Sequence, residues 1–213
     1  MKYLIVGNGV AGTSAAAQIR KQDSSGDITI VTDETVPFYS RIRLIEYLAG
    51  EAGEQDIVIY KDDWYGKNNI KLLLNSHVSE IDKDNKHVVT SKGETLPYDR
   101  LLIATGGLSF VPPVPGADKK GVFTLRTLRN ADEIISYAEG RKKVILIGGG
   151  VLGLEAGNSL RKKGLEVTVV EFFPRLLPRQ MDPGGAQVLK GQMESMGFSF
   201  CLGAKSKEIA GDA

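Results

Sequence analysis

Short apolar runs, each ended by a glycine-rich or polar break, recur along the chain. Lys2-Tyr3-Leu4-Ile5-Val6 is the first, and it meets Gly7-Asn8-Gly9-Val10-Ala11-Gly12 and then an alanine-rich stretch from Thr13 to Arg20. A continuous apolar run, a glycine turn and an alanine-rich segment predict strand, turn and helix. Ile28 to Thr32 reads as the next strand and ends in Asp33-Glu34. A loop over Thr35–Arg41 and a helix over Ile42–Ala49, stopped by Gly50, follow; Ile57-Val58-Ile59 is too short to assign. Asp62 to Asn68 reads as a short helix and Ile70 to Leu74 as a strand. Between His77 and Leu96 short alternating segments are separated by turns at Lys83-Asp84-Asn85-Lys86 and Ser91-Lys92-Gly93-Glu94, a β-meander that can bridge two parallel strands. Leu101 to Ala104 reads as a buried strand broken by Thr105-Gly106-Gly107.

Pro112-Pro113-Val114-Pro115-Gly116 excludes regular structure and reads as a linker. Beyond it a strand is expected at Gly121–Leu125 and a helix at Asn130–Glu139 capped by Asn130. The opening pattern then repeats. Lys143 to Ile147 is apolar, Gly148-Gly149-Gly150-Val151-Leu152-Gly153 is a second GxGxxG, and Leu154 to Lys163 is helical in pattern and stopped by Gly164. Glu166 to Val170 is the next strand, ended by Glu171; Asp182–Met196 reads as a helix and Phe198–Cys201 as a strand. The residues from Lys205 read as another strand beginning, so the chain is expected to be a fragment. The expected fold class is α/β, with two Rossmann-like three-layer units that are both incomplete because a C-terminal half is absent. Their expected extents are 1–112 and 113–213.

The glycines have separate tasks. Gly7 and Gly148 permit the tight turn, Gly9 and Gly150 let a pyrophosphate approach the backbone, and Gly12 and Gly153 let helix and strand pack closely. The following helix presents free N–H groups and a positive dipole end. Asp33 or Glu34 in the first copy and Glu171 in the second can accept hydrogen bonds from ribose hydroxyls. Two dinucleotide sites in one chain point to electron transfer between a nicotinamide and a flavin. Glu171 would repel a 2′-phosphate, and no arginine follows it before Arg175, so NADH is favoured over NADPH.

Composition narrows this little. The 213 residues are 42% hydrophobic and 25% charged, as in a globular protein, and the net charge of +1 gives no reason to expect nucleic acid or a membrane surface. The single cysteine, Cys201, excludes an intrachain disulfide, suits a reducing compartment, and on its apolar strand is expected to be a small buried core residue. The first strand begins at Lys2, and a cytoplasmic protein is expected. His77 and His87 read as surface or strand residues, Trp64 and Tyr65 as packing residues, and no metal-ligand spacing stands out.

The segments GNGVAG at 7–12, Leu101–Gly106, Val122–Thr127, GGGVLGLE at 148–155 and Arg175–Asp182 resemble the FAD-dependent pyridine nucleotide–disulfide oxidoreductase superfamily. The branch they are most similar to contains rubredoxin reductases, ferredoxin reductases and the flavin part of NADH-dependent nitrite reductase. The resemblance covers the whole chain. It implies FAD at the first turn and NAD(P)H at the second. Gly7, Gly9, Val10, Ala11 and Gly12 would hold the FAD pyrophosphate, with Arg41 as a bidentate phosphate donor. Asp33 or Glu34 would take the adenosine ribose, a backbone group of Val78 the adenine, and Ala104, Thr105 and Gly106 would pass near the FAD. Gly148, Gly150, Val151, Leu152 and Gly153 would hold the NAD pyrophosphate, Glu171 its ribose, and Glu155, the one candidate catalytic residue, would face the nicotinamide side.

The chain also departs from the family. Pro37–Leu44 holds no redox cysteine and Cys201 lies in the wrong domain, so thiol chemistry is not expected. Electrons would pass to a small redox protein or a fused reductase module. Ile45-Glu46 stands where ferredoxin reductases often carry a lysine. The family's second FAD segment and its dimerisation domain, the basis for a homodimer of a full-length protein, have no counterpart here; Gly211-Asp212 reads as a coincidental match, and the fragment alone would hold FAD weakly or not at all. Two alternatives stand beside this reading: a thiol-independent NADH oxidase using oxygen, and an NADH-sensing flavoprotein resembling apoptosis-inducing factor.

Overall fold

The computed structural model describes residues 1–211; Asp212, of the Gly211-Asp212 pair, lies outside them. In chain order the elements are β1 (Lys2–Val6), α1 (Val10–Gln22), β2 (Asp27–Val31), α2 (Leu44–Ala49, preceded by a 3-10 turn at Arg41–Arg43), α3 (Glu54–Ile57), α4 (Asp62–Lys67) and β3 (Ile70–Leu73). Then come β4 (Val78–Asp82), β5 (His87–Thr90), β6 (Thr95–Pro97), β7 (Arg100–Ile103) and α5 (Leu128–Ala138). The last are β8 (Lys143–Ile147), α6 (Val151–Lys162), β9 (Glu166–Glu171), α7 (Pro183–Ser195) and β10 (Phe198–Leu202). Both helices that follow the glycine motifs start before the last motif glycine, so Gly12 and Gly153 lie in their first turns.

The residues form two units, one of Met1–Ser40 with Glu54–Leu108, the other of Arg41–Gly53 with the residues from Ser109 on. The sequence places a single boundary in the proline-rich stretch, which assigns residues 41–53 to the first part. They cluster with the second because α2 buries Leu44 and Leu48 there, and Ser159 Oγ on α6 donates to Ile45 O at 2.7 Å. Tyr47 OH donates to Asp132 on α5 at 2.7 Å.

In the first unit four parallel strands run in the order β3-β2-β1-β7. Alternate side chains serve alternate faces. Ile5, Ile28 and Ile30 pack with Ala16 of α1 and Tyr65 of α4. Leu4, Val6 and Val31 pack with Val88 of the antiparallel β4-β5-β6 meander. The meander links β3 to β7 as expected. β7, expected to be buried, is an edge strand, so Leu102 and Ile103 are exposed.

In the second unit β10-β9-β8 is a parallel sheet. Val167, Val169 and Phe198 pack with Leu154 of α6 and Met193 of α7. The opposite face leaves Ile145 and Ile147 exposed. Cys201 points there too, so it is exposed, where the apolar pattern of its strand led to a buried position. Gly121–Leu125 forms no strand, because no neighbour offers it a ladder among the described residues; Phe123 packs edge-on against Tyr137 instead. The cap of α5 is Thr127, and Asn130 is the reciprocal partner three residues in, since both hydrogen bonds of a capping box are present.

Candidate functional site

Each unit carries the same turn at the carboxyl ends of its strands, where ligands of open α/β sheets bind. Gly7 and Gly148 adopt φ of 111° and 107°, a conformation that favours glycine. Each donates its N–H to the strand beside it, Gly7 to Val31 O and Gly148 to Val170 O, both at 2.8 Å. Gly9 and Gly150 stand in extended conformation at the helix caps with no side-chain cap, which leaves the first helical N–H groups for a ligand. Val10, Ala11, Val151 and Leu152, the residues carrying those groups, are exposed.

Close packing accounts for the other glycines of the first turn. A Cβ on Gly7 would lie 2.2 Å from Ala104 O, and one on Gly12 2.0 Å from Gly7 O. The second turn is looser: a Cβ on Gly153 would lie 3.1 Å from Gly148 O, and Gly150 faces open space within 4 Å. Both turns therefore fit a pyrophosphate, with backbone donors on exposed residues at the helix start and, in the second, open space beside Gly150.

The acidic residues differ between the copies. In the second unit Glu171 is buried, and backbone groups hold both its oxygens: Gly149 N donates to Oε2 at 2.6 Å and Phe173 N to Oε1 at 2.8 Å. The strand register puts Val6 beside Val31 and Ile147 beside Val170, so Thr32 stands level with Glu171, and Asp33 and Glu34 lie one and two residues beyond it. Thr32 is buried and accepts from Glu34 N at 3.2 Å. Asp33 is exposed, 3.8 Å from His77 Nδ1, and Glu34 accepts from Tyr39 OH at 3.1 Å.

Of the other expected site residues, Ala104 is tied to β1 by its N–H to Val6 O at 2.7 Å, while Thr105 and Gly106 are exposed just beyond β7. Val78 opens β4, half-buried against the meander core. Arg41 belongs to the second unit, where its Nε donates to Arg126 O at 3.2 Å. Glu155 is exposed on α6. The first unit thus gathers the first glycine turn, Asp33, Glu34, Val78 and Ala104–Gly106; the second gathers the other turn, Glu155, Glu171 and Arg41.

Past Glu171, Arg175 and Lys190 flank a cavity of about 290 Å³ with Gln187 and Leu202. Arg175 is anchored there by donation to Pro178 O at 3.0 Å. Thr32, Asn8 and Tyr65 are all buried, and of the three the sequence reading singled out only Tyr65, as a packing residue. Asn8 is buried and accepts from Tyr65 OH at 3.0 Å. The one available signal was a carboxamide between two glycines of an otherwise apolar turn.

Two parallel-sheet units, each with a glycine turn feeding a helix, define a protein with two dinucleotide-type sites. The comparisons agree: the Pyridine nucleotide-disulphide oxidoreductase profile matches residues 1–213, and the chain belongs to that family. It is 40% identical over 212 residues to Nitrite reductase [NAD(P)H] of Bacillus subtilis, covering 99% of this chain and 26% of that protein. It is 33% identical to Rubredoxin-NAD(+) reductase of Pseudomonas putida, covering 99% of this chain and 55% of that one. The solved NADH:rubredoxin oxidoreductase of Clostridium acetobutylicum superposes with a TM-score of 0.87 at 33% identity, over 97% of this chain and 53% of the other. The chain thus spans from about a quarter to about half the length of these relatives. Among the described residues no helix is long and apolar enough to cross a membrane, and no cluster of His, Cys, Asp or Glu could hold a metal.

Proposed function

We infer that the chain is the dinucleotide-binding part of an FAD-dependent NAD(P)H oxidoreductase that takes hydride from NADH and passes electrons to a protein acceptor. The acceptor class is a rubredoxin- or ferredoxin-like protein or a fused nitrite reductase module, as the names of the relatives suggest. The observation that carries the reading is the repeated turn: two glycine loops of matching backbone geometry, each open at a helix start.

Bound FAD supplies a two-electron acceptor that can release electrons one at a time. The chain's own residues bind and orient. Gly7 makes the turn, Gly9, Val10, Ala11 and Gly12 receive the FAD pyrophosphate on backbone N–H groups, and Asp33 or Glu34 takes the ribose. Val78 meets the adenine, and Ala104, Thr105 and Gly106 border the ring system. Gly148, Gly150, Val151, Leu152 and Gly153 receive the NADH pyrophosphate, and Glu155 faces the nicotinamide end. Glu171 accepts the ribose hydroxyls. A carboxylate offers about four lone-pair sites, and the backbone uses two of them, so two remain for the hydroxyls.

The test is the visible spectrum of the longer protein, loaded with FAD, during anaerobic addition of NADH and separately of NADPH. Bleaching by NADH at lower concentration than by NADPH is expected. A loaded flavin that neither nucleotide bleaches would refute the reading, and preference for NADPH would refute the assignment of Glu171.

A further inference from the structure

The two turns share a backbone but differ at their second residue. The second unit has Gly149, whose N–H is taken by Glu171. The first has Asn8, only 6% exposed. Its carboxamide is oriented by a short relay. Phe38 N–H donates to the Tyr65 hydroxyl oxygen at 3.1 Å, and the one hydroxyl proton goes on to Asn8 Oδ1 at 3.0 Å. Tyr65 is 3% exposed, and burial raises its pKa, so it remains a donor. With Oδ1 fixed toward the phenol, Nδ2 is directed elsewhere. It is buried and has no acceptor among the described residues.

A buried N–H without a partner is costly, and native structures rarely keep one. This one sits in the turn that leads into α1, where the helix start already favours an anion with many oxygen acceptors. We propose that Asn8 Nδ2 donates a hydrogen bond to a phosphate oxygen of the dinucleotide at the first turn, with Tyr65 as the positioning residue that aims it. The proposal rests on the reading that this turn holds a dinucleotide. It gives the first turn a side-chain donor beside its backbone donors, which Gly149 cannot supply in the second.

The test uses the longer protein, freed of flavin, with FAD and with ADP. In the wild type, the Asn8 side-chain amide signals should shift on saturation and show coupling to phosphorus-31 across the hydrogen bond. Asn8→Ala should raise the FAD dissociation constant about tenfold, the usual worth of one charge-assisted bond. Asn8→Asp keeps an acceptor for Tyr65 but sets a negative oxygen against the phosphate, and should weaken binding further than Asn8→Ala. Tyr65→Phe should weaken it less. A longer wild-type protein that binds neither FAD nor ADP overturns the proposal together with the reading beneath it. Binding that leaves the Asn8 amide signals unmoved, or that Asn8→Asp tolerates as well as Asn8→Ala, overturns the proposal alone. The amide measurement needs no variant to fold.

Discussion

Replacing Glu171 by glutamine removes one oxygen from a carboxylate that is 7% exposed and held by two backbone donors. One oxygen of the glutamine can still accept from Gly149 or Phe173. Its amino group must then face the other N–H, so one bond is lost and one buried donor is orphaned, at about 1–3 kcal/mol. The remaining bond loses its charge assistance, worth about 1 kcal/mol more. Removing a buried charge returns part of this, because the carboxylate was desolvated on folding. The net expectation is a loss of about 2–3 kcal/mol. For a chain of this size that lowers the melting temperature by roughly 4–12 °C. Differential scanning calorimetry of wild type and Glu171→Gln without nucleotide measures it directly. A midpoint within about 1 °C of wild type would show that the carboxylate does not brace the turn, and the account of Glu171 as a pre-oriented acceptor would fall with it.

Gly12→Ala pushes a Cβ to 2.0 Å from the Gly7 carbonyl and should cost about 3 kcal/mol in urea unfolding. Gly66→Ala in α4 meets open space in a helical conformation and should stabilise by about 0.5–1 kcal/mol in the same assay. Backbone N–H groups of Ser25 and Gly26 hold the Asp23 carboxyl below its usual pKa. A depressed pKa means that this contribution is present above the unfolded value and is lost as pH falls through the folded one. Asp23→Asn should therefore flatten the decline in stability below about pH 4. Cys201 is exposed on β10, so a thiol reagent should label the native chain stoichiometrically without denaturant; protection until unfolding would contradict its position.

What the sequence disclosed was whatever local pattern controls. The two glycine turns, their flanking strands and the meander are set by periodicity and by the backbone demands of glycine, and they form as read. Features set by distant neighbours were not legible. The apolar run at Gly121–Leu125 has strand composition but meets Tyr137 rather than a ladder. Leu102, Ile103 and Cys201 look like core residues, yet each lies on an edge strand or an uncovered sheet face. Strand pairing puts Thr32 level with Glu171, with Asp33 and Glu34 one and two residues beyond it, an alignment that spacing alone does not give. Asn8 could be seen as odd but not as buried, because the phenol that holds it comes from 57 residues away.

The early segment claimed by the second unit bears on how the chain must be made. The chain passes between the units three times, at 40–41, 53–54 and 108–109. The hydrogen bond from Ser159 to Ile45 spans 114 residues. During synthesis, Leu44 and Leu48 emerge long before α6 exists to cover them, so this helix waits without its partner while the strands of the first unit can already pair. Such late, long-range closure slows folding and offers a site for mispairing or for a chaperone. Cutting at the proline stretch would leave one piece with an orphaned apolar helix and another without the helix that covers α6. Any dissection of this chain into halves has to carry residues 41–53 with the later half.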